Sequence, residues 1–153
     1  GSKYYYKSGF PGHLSIAVSE GKFTNTDEKL GGIKVAESAL FNRHKVKFQS
    51  DVAINKAFEN FSKIKGKRFL LKMHLNSEQK QRLIELTGKQ IGRPYSILAP
   101  KNGQARFNCA TFVRWAILEV TRFDLDIDGG RIVFPNDILK SSRFDNPGDR
   151  IRF

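Results

Sequence analysis

The chain has 153 residues, of which 39% are hydrophobic, so it is long enough to bury a core as a single domain. Its 27 Lys and Arg against 15 Asp and Glu give a formal charge of +12, which attracts polyanions such as nucleic acid, anionic lipid or an acidic wall polymer without choosing among them. One cysteine excludes an intramolecular disulfide framework, and no apolar run approaches the about 20 residues of a membrane span, so we expect a soluble protein.

Gly1 and Ser2 are typical of a cloning scar, and we expect the single domain to cover 3–153. No secretory signal precedes the first polar residues. The compartment nevertheless stays open, because scars of this kind occur on pieces of longer proteins.

The first third of the chain predicts short strands. Residues 13–18 alternate with the period of a strand, "SEG" supplies a turn, and 22–25 continue as the second strand of a hairpin. Residues 31–36 and 43–48 could add further strands. Apolar side chains then recur at helical spacing over 54–61, after a plausible cap at Asp51.

Another predicted strand, 67–75, precedes two predicted helices. Phe69, Leu71, Met73 and Leu75 share one face of that strand. A helix is expected from Asn76 or Ser77 to about Gln90, and after a loop at 96–107 a second helix is expected behind Asn108, a good N-cap. The class is α+β.

The only cysteine, Cys109, heads the second of these helices. It begins a buried stripe at the spacing of Phe112, Val113, Ala116, Ile117 and Val120. The positive end of a helix dipole stabilises a thiolate in the first turn, and the same amides can bind an oxyanion. The alternative is an inert, buried thiol that belongs to the core.

A thiolate nucleophile needs a base and a group that orients the base. The three histidines are His13, His44 and His74, of which the last two look like solvated side chains. His13 begins the first strand, and Asn25 stands across the predicted hairpin, near enough to hold an imidazole.

Three stretches resemble one family, the NlpC-type papain-like cysteine peptidases. "RLIELTGKQIGRPYSILAPKNGQARFNCATFVRWAI" resembles the family's helix, Gly-x-Pro-Tyr turn and cysteine-headed helix. "GHLSIAVSEGKFTN" is similar to its histidine hairpin, and "FPNDILKSSRF" is similar to a tail of the YiiX-like group. The hairpin comes before the cysteine here, which is the order of the circularly permuted branch, the YiiX-like and lecithin:retinol acyltransferase-like proteins.

The resemblance implies a circularly permuted papain-like (NlpC-type) fold, with an antiparallel sheet packed against helices and the catalytic cysteine at a helix N-terminus. It implies Cys109 as nucleophile, His13 as base and Asn25 as the residue that orients His13, with Asp27 as a rival for that last role. Tyr95 and Asn108 are then expected at the oxyanion and substrate. Residues 31–75 match nothing in the family.

The expected function is a cysteine hydrolase that passes through a thioester, most simply an amidase or peptidase of bacterial cell-wall peptides. Such a domain would act as a secreted effector or toxin and would have a cognate immunity protein as partner. One alternative is an acyltransferase, thioesterase or phospholipase at an anionic membrane. Another is a basic nucleic-acid or lipid-binding module without activity, although we expect nucleic acid not to be a partner.

No cofactor and no metal are expected. "DLDIDGG" from Asp124 copies the start of a calcium loop, but Pro135 stands where the bidentate Glu should be.

Overall fold

The computed structural model describes residues 14, 16–18, 35–39, 45–49, 69–126, 129–145 and 151–152. The elements in chain order are β1 (Ile16–Ala17), β2 (Val35–Ala39), β3 (Lys45–Gln49), β4 (Phe69–Leu70), α1 (Ser77–Lys89), α2 (Cys109–Thr121), α3 (Pro135–Leu139) and β5 (Ile151–Arg152). The predicted helix at 54–61 and the predicted strand at 22–25 lie outside the described residues.

Within the described parts of the chain the strands form two small sheets. In the first, the order is β1-β2-β3 and both pairs are antiparallel, with Ile16 opposite Ala36 and Ala36 opposite Phe48. In the second, β4 pairs antiparallel with β5, and Phe69 faces Arg152. The predicted strand at 13–18 is thus present only as a two-residue strand, β1, in the described part of the chain.

The predicted fold class needs correction. The sequence predicted one antiparallel sheet of the papain type, packed against helices. In the long described stretches 71–126 and 129–145 there are three helices and an isolated bridge between Tyr95 and Phe107, but no strand. The strands elsewhere are short and divided between two sheets, so a circularly permuted papain-like fold is not supported.

The segment 67–75 shows why the strand prediction failed. Of its described residues, 69–75, only Phe69 and Leu70 pair with another strand. Leu71 and Met73 nevertheless alternate with exposed neighbours and pack into the core, and the Lys72 carbonyl accepts one backbone hydrogen bond from Asp145 N at 2.8 Å. A period of two reports an extended chain with one buried face, and it says nothing about a hydrogen-bonding partner.

Helix α1 begins where the sequence predicts. Gln79 N donates to Asn76 Oδ1 at 2.8 Å, and Asn76 N donates to Gln79 Oε1 at 3.0 Å, which together form a capping box. The helix buries Leu83 and Thr87, and the Thr87 hydroxyl is satisfied by the Leu83 carbonyl at 2.7 Å. Its predicted end near Gln90 is confirmed, since Gln90 is the C-cap.

Helix α2 lies at the centre of the described structure. All nine residues from Cys109 to Ile117 are buried, so the predicted single apolar stripe is too narrow a description. One side of the helix belongs to a first core cluster, which joins it to the three-stranded sheet and α1: Val18, Ala36, Val46, Leu83, Phe107, Phe112, Trp115 and Ala116. The other side belongs to a second core cluster: Ala110, Val113, Ile117, Leu125, Val133, Ile138 and Phe144. Burial on both sides fixes the position of the helix and of its N-terminus.

Among the described residues, none of the helices has both the length and the apolar character that crossing a membrane requires.

Candidate active site around Cys109

Cys109 is the first residue of α2, and Asn108 is its N-cap, with an extended backbone at φ −94° and ψ 178°. The predicted helix start is therefore confirmed. The cysteine is only 4% exposed. One shallow depression on the described surface lies along α1 and another lies between the start of α1 and the end of α2, and Cys109 lines neither of them.

The side chain of Asn108 joins three parts of the chain at this point. Its Oδ1 accepts a hydrogen bond from Thr111 N at 2.7 Å. Its Nδ2 donates to the carbonyl of Ile97 at 3.3 Å and to the carbonyl of Val133 at 3.1 Å. The amide thus fastens two separate loops to the beginning of α2. We assign it a positioning role, and contact with substrate stays a prediction.

The approach to α2 is held by backbone bonds that also place Tyr95. Phe107 N donates to the carbonyl of Pro94 at 3.0 Å, and Ser96 N donates to the carbonyl of Phe107 at 2.9 Å. The buried hydroxyl of Ser38, on β2, donates to the same Phe107 carbonyl at 3.1 Å. Residues 94–96 therefore lie beside Phe107, which is two positions before Cys109 in the sequence.

The Tyr95 phenol lies close enough to Cys109 for the two groups to interact electrostatically. Burial of the half-buried ring, and secondly the negative charge of the Cys109 thiolate, raise the pKa of Tyr95 to about 12. At neutral pH the phenol is a neutral hydroxyl, as ordinary tyrosines are, and it can donate a hydrogen bond as well as accept one.

Two ion pairs hold the loops on either side of the cysteine, and sequence reasoning did not find them. Arg114 binds Asp124 in bidentate geometry, with Nε to Oδ1 at 2.7 Å and Nη2 to Oδ2 at 2.5 Å, and its Nη1 donates to the Lys101 carbonyl at 2.9 Å. Lys101 Nζ forms an ion pair with Asp126, whose side chain is fully buried. The Arg114 guanidinium and Asp126 N hold the pKa of Asp124 below its usual range, although partial burial opposes them.

The sequence does contain one signal for these ion pairs, which is Arg114 among the apolar residues of α2. Asp124 and Asp126 are the first two acids of the calcium-like motif, and in the structure each faces a cation of its own chain. An arginine at a buried helical position requires such a partner.

Of the predicted site residues, the structure brings together Cys109, Asn108 and Tyr95. His13, Asn25 and Asp27 lie outside the described residues, as does His44. His74 is exposed, at the end of the extended segment before α1. Leu14 is described: it is partly buried and packs against the second core cluster, which includes Ala110.

No protein family and no curated protein matches the chain. Among solved structures, the chain is similar to the crystal structure of the metalloprotein yiiX from Escherichia coli O157:H7, which is also described as DUF1105. The TM-score is 0.55 and the sequence identity 14%, over 74% of this chain and 73% of that one. At this identity the likeness concerns the fold alone. Among the residues that our structure describes, no group of three His, Cys, Asp or Glu side chains could hold a metal ion.

These comparisons correct the family predicted from sequence. The three motifs suggested a circularly permuted NlpC-type, papain-like hydrolase of the YiiX-like or lecithin:retinol acyltransferase-like branch. No family match supports that membership, and a likeness of fold at 14% identity to a protein described only as a metalloprotein does not supply it.

Proposed function

We propose that the protein is a cysteine hydrolase whose nucleophile is Cys109, and that it acts as an amidase or peptidase. One observation carries the proposal: the only thiol of the chain stands at the first position of a helix that is packed on two sides, within electrostatic reach of Tyr95. The backbone N–H groups of a first helical turn carry partial positive charge, which stabilises an anion next to them.

Tyr95 supplies the second element of the site. Attack of the thiolate on an amide carbon turns the carbonyl oxygen into an oxyanion. The neutral phenol of Tyr95 would donate a hydrogen bond to that oxygen, and a preorganised donor of this kind contributes a rate factor on the order of 10² to 10³. The bonds at Phe107 and Asn108 hold the segment that carries Tyr95, which favours a fixed geometry.

His13 is proposed as the base. Its neighbour in the sequence, Leu14, packs against the core cluster that contains Ala110, the residue after Cys109. In the proposed cycle His13 takes the thiol proton, the carbon–nitrogen bond breaks, and the imidazolium protonates the leaving amine. Water then hydrolyses the thioester. Asn25, or Asp27 in its place, would orient the ring.

We extend the proposal to cell-wall peptides as substrates, because the charge of +12 suits an anionic wall. A secreted effector of this type would require an immunity protein in the cell that produces it. A second candidate is acyl transfer to or from a lipid. It is favoured by the exposed aliphatic side chains of Ile97 and Leu98, whose loop is bonded to Asn108.

The test is alkylation of Cys109 by iodoacetamide, followed by mass spectrometry of intact protein and peptides. We expect Cys109 to be labelled at neutral pH and His13→Ala to slow labelling by about tenfold or more. His74→Ala, which removes an exposed histidine, is the matched control and should leave the rate unchanged. An unreactive Cys109, or equal rates in both variants, would contradict the proposal.

Substrate incubation separates the two candidates. Purified muropeptides should lose a stem-peptide residue in the presence of the protein but not of its Cys109→Ser variant. Phospholipid vesicles that instead leave a fatty acyl adduct on Cys109 would favour the second candidate.

A further inference from the structure

A tight turn beside the candidate site exposes two aliphatic side chains. Ala99 N donates to the carbonyl of Ser96 at 3.0 Å, so Ile97 and Leu98 occupy the two central positions of the turn. Ala99 is fully buried and anchors it, whereas Ile97 is 41% and Leu98 67% exposed. Central turn positions usually carry Gly, Pro, Asn, Asp or Ser, so the geometry of the turn does not call for this pair.

Phe134 is a third exposed apolar residue, and its backbone lies near that of Ile97. Asn108 Nδ2 bonds both the Ile97 carbonyl and the Val133 carbonyl, so the peptide units 97–98 and 133–134 meet at one amide. Phe134, which follows Val133, is 39% exposed. Its backbone is fixed by a hydrogen bond from Phe134 N to Asp137 Oδ2 at 2.8 Å. Ile97, Leu98 and Phe134 together are called the apolar rim below.

The sequence around the apolar rim is rich in cations. Residues 86–118 contain no acidic residue but five basic ones: Lys89, Arg93, Lys101, Arg106 and Arg114. Lys101 and Arg114 are paired with Asp126 and Asp124, so the exposed positive charge of this stretch comes from Lys89, Arg93 and Arg106. Arg93 and Arg106 are exposed and directly precede Pro94 and Phe107, which are joined by a backbone bond. Arg131, which is also exposed, lies near this stretch, because its carbonyl accepts a hydrogen bond from Lys101 N at 2.9 Å.

We propose that the apolar rim and the arginines around it form a docking surface for an anionic lipid bilayer. Aliphatic and aromatic side chains enter the boundary between headgroups and acyl chains, while the arginines nearby are attracted to the anionic headgroups. Exposed Ile97 and Leu98 do not favour nucleic acid as the partner, because aliphatic side chains do not stack on bases as aromatic ones do. The docking would hold the Cys109 end of α2 against the membrane, yet it does not depend on catalysis.

The test is co-sedimentation with vesicles of phosphatidylcholine, with or without phosphatidylserine, at about 0.1 M salt. We expect binding to the anionic vesicles only. Ile97→Ser/Leu98→Ser should weaken it on the order of tenfold, and Arg93→Gln/Arg106→Gln by a similar factor. The matched controls are Ile84→Ser, which removes a 43% exposed isoleucine on α1, and Arg82→Gln, an exposed arginine on the same helix; each should change binding less than about twofold.

Three results would overturn the proposal. They are a wild-type protein that stays in the supernatant, a double serine variant that binds like the wild type, and tighter binding to a single-stranded oligonucleotide than to vesicles. The Cys109→Ser variant separates this surface from the proposed chemistry, because it should bind vesicles as the wild type does whether or not the protein is a hydrolase.

Discussion

Asn108 and Thr111 bond each other's backbone amides. Thr111 N donates to Asn108 Oδ1 at 2.7 Å, and Asn108 N donates to Thr111 Oγ1 at 2.9 Å. Asn76 and Gln79 make the same exchange at the start of α1, at 2.8 and 3.0 Å. The two caps differ in their surroundings, since Asn76 is exposed while Asn108 is buried and also holds two loops.

This difference predicts unequal costs for the same substitution. Asn76→Ala removes an exposed cap and should lower the free energy of unfolding by about 1 kcal/mol. Asn108→Ala also takes the Nδ2 donor from the Ile97 and Val133 carbonyls, and should cost about 3 kcal/mol. Urea denaturation of both variants measures the two values. Equal costs would show that the bonds to the loops contribute nothing to stability.

The pair of Arg114 and Asp124 predicts an asymmetry between its two halves. The Arg114 side chain is 5% exposed and the Asp124 side chain 40%. Asp124→Ala leaves a buried guanidinium without its carboxylate, which should cost about 3 kcal/mol, whereas Arg114→Met leaves a carboxylate that water can solvate, at about 1 kcal/mol. Chemical denaturation of the two variants measures their free energies of unfolding. A larger loss of stability for Arg114→Met than for Asp124→Ala would contradict the burial argument.

Asp124 also predicts how stability changes in acid. The hydrogen bonds from Arg114 lower the pKa of Asp124 in the folded protein, so the folded state favours the ionised carboxyl. Its contribution is present above the unfolded pKa of about 3.9 and is lost as the pH falls through the lower, folded value. The wild type should therefore lose more stability than Asp124→Asn below about pH 4, in urea midpoints measured from neutral to acid pH. Glu85→Gln, on the exposed side of α1, is the control and should follow the wild type.

The starts of α1 and α2 could be predicted because the signals are local. A cap and an apolar spacing lie within a few residues of each other, and Asn76 and Asn108 needed no distant partner to be recognised. The same local reading placed Cys109 at a helix N-terminus. It underestimated the burial of α2, because a helix covered on two sides differs from an amphipathic one only in what packs against it.

The rest of the site depends on contacts between distant residues. Nothing in the sequence says that the carbonyls of Ile97 and Val133 meet at one amide, or that Arg114 finds Asp124 ten positions away. The extended segment 71–75 failed as a strand for the same reason, since its alternating pattern reports a buried face and not a neighbour. Tyr95 was placed near the cysteine by a family resemblance, and the physical reason is the backbone pairing of Pro94 and Ser96 with Phe107.

Tyr95 gives the most direct measurement of the site at Cys109. Its pKa of about 12 has burial as the larger cause and the Cys109 charge as the smaller one. Cys109→Ser removes only the smaller cause, so it should lower the pKa of Tyr95 while leaving it above the ordinary value of about 10. Absorbance of tyrosinate at 295 nm, compared with Tyr95→Phe, isolates this residue from the other three tyrosines, and circular dichroism monitors folding during the titration.

Because folding favours the protonated phenol of Tyr95, the stability that the phenol contributes is present below about pH 10. It declines as the pH rises toward 12, a loss that Tyr95→Phe should not show. An unchanged pKa in Cys109→Ser would place the phenol out of electrostatic reach of the sulfur and would remove the donor from the proposed mechanism.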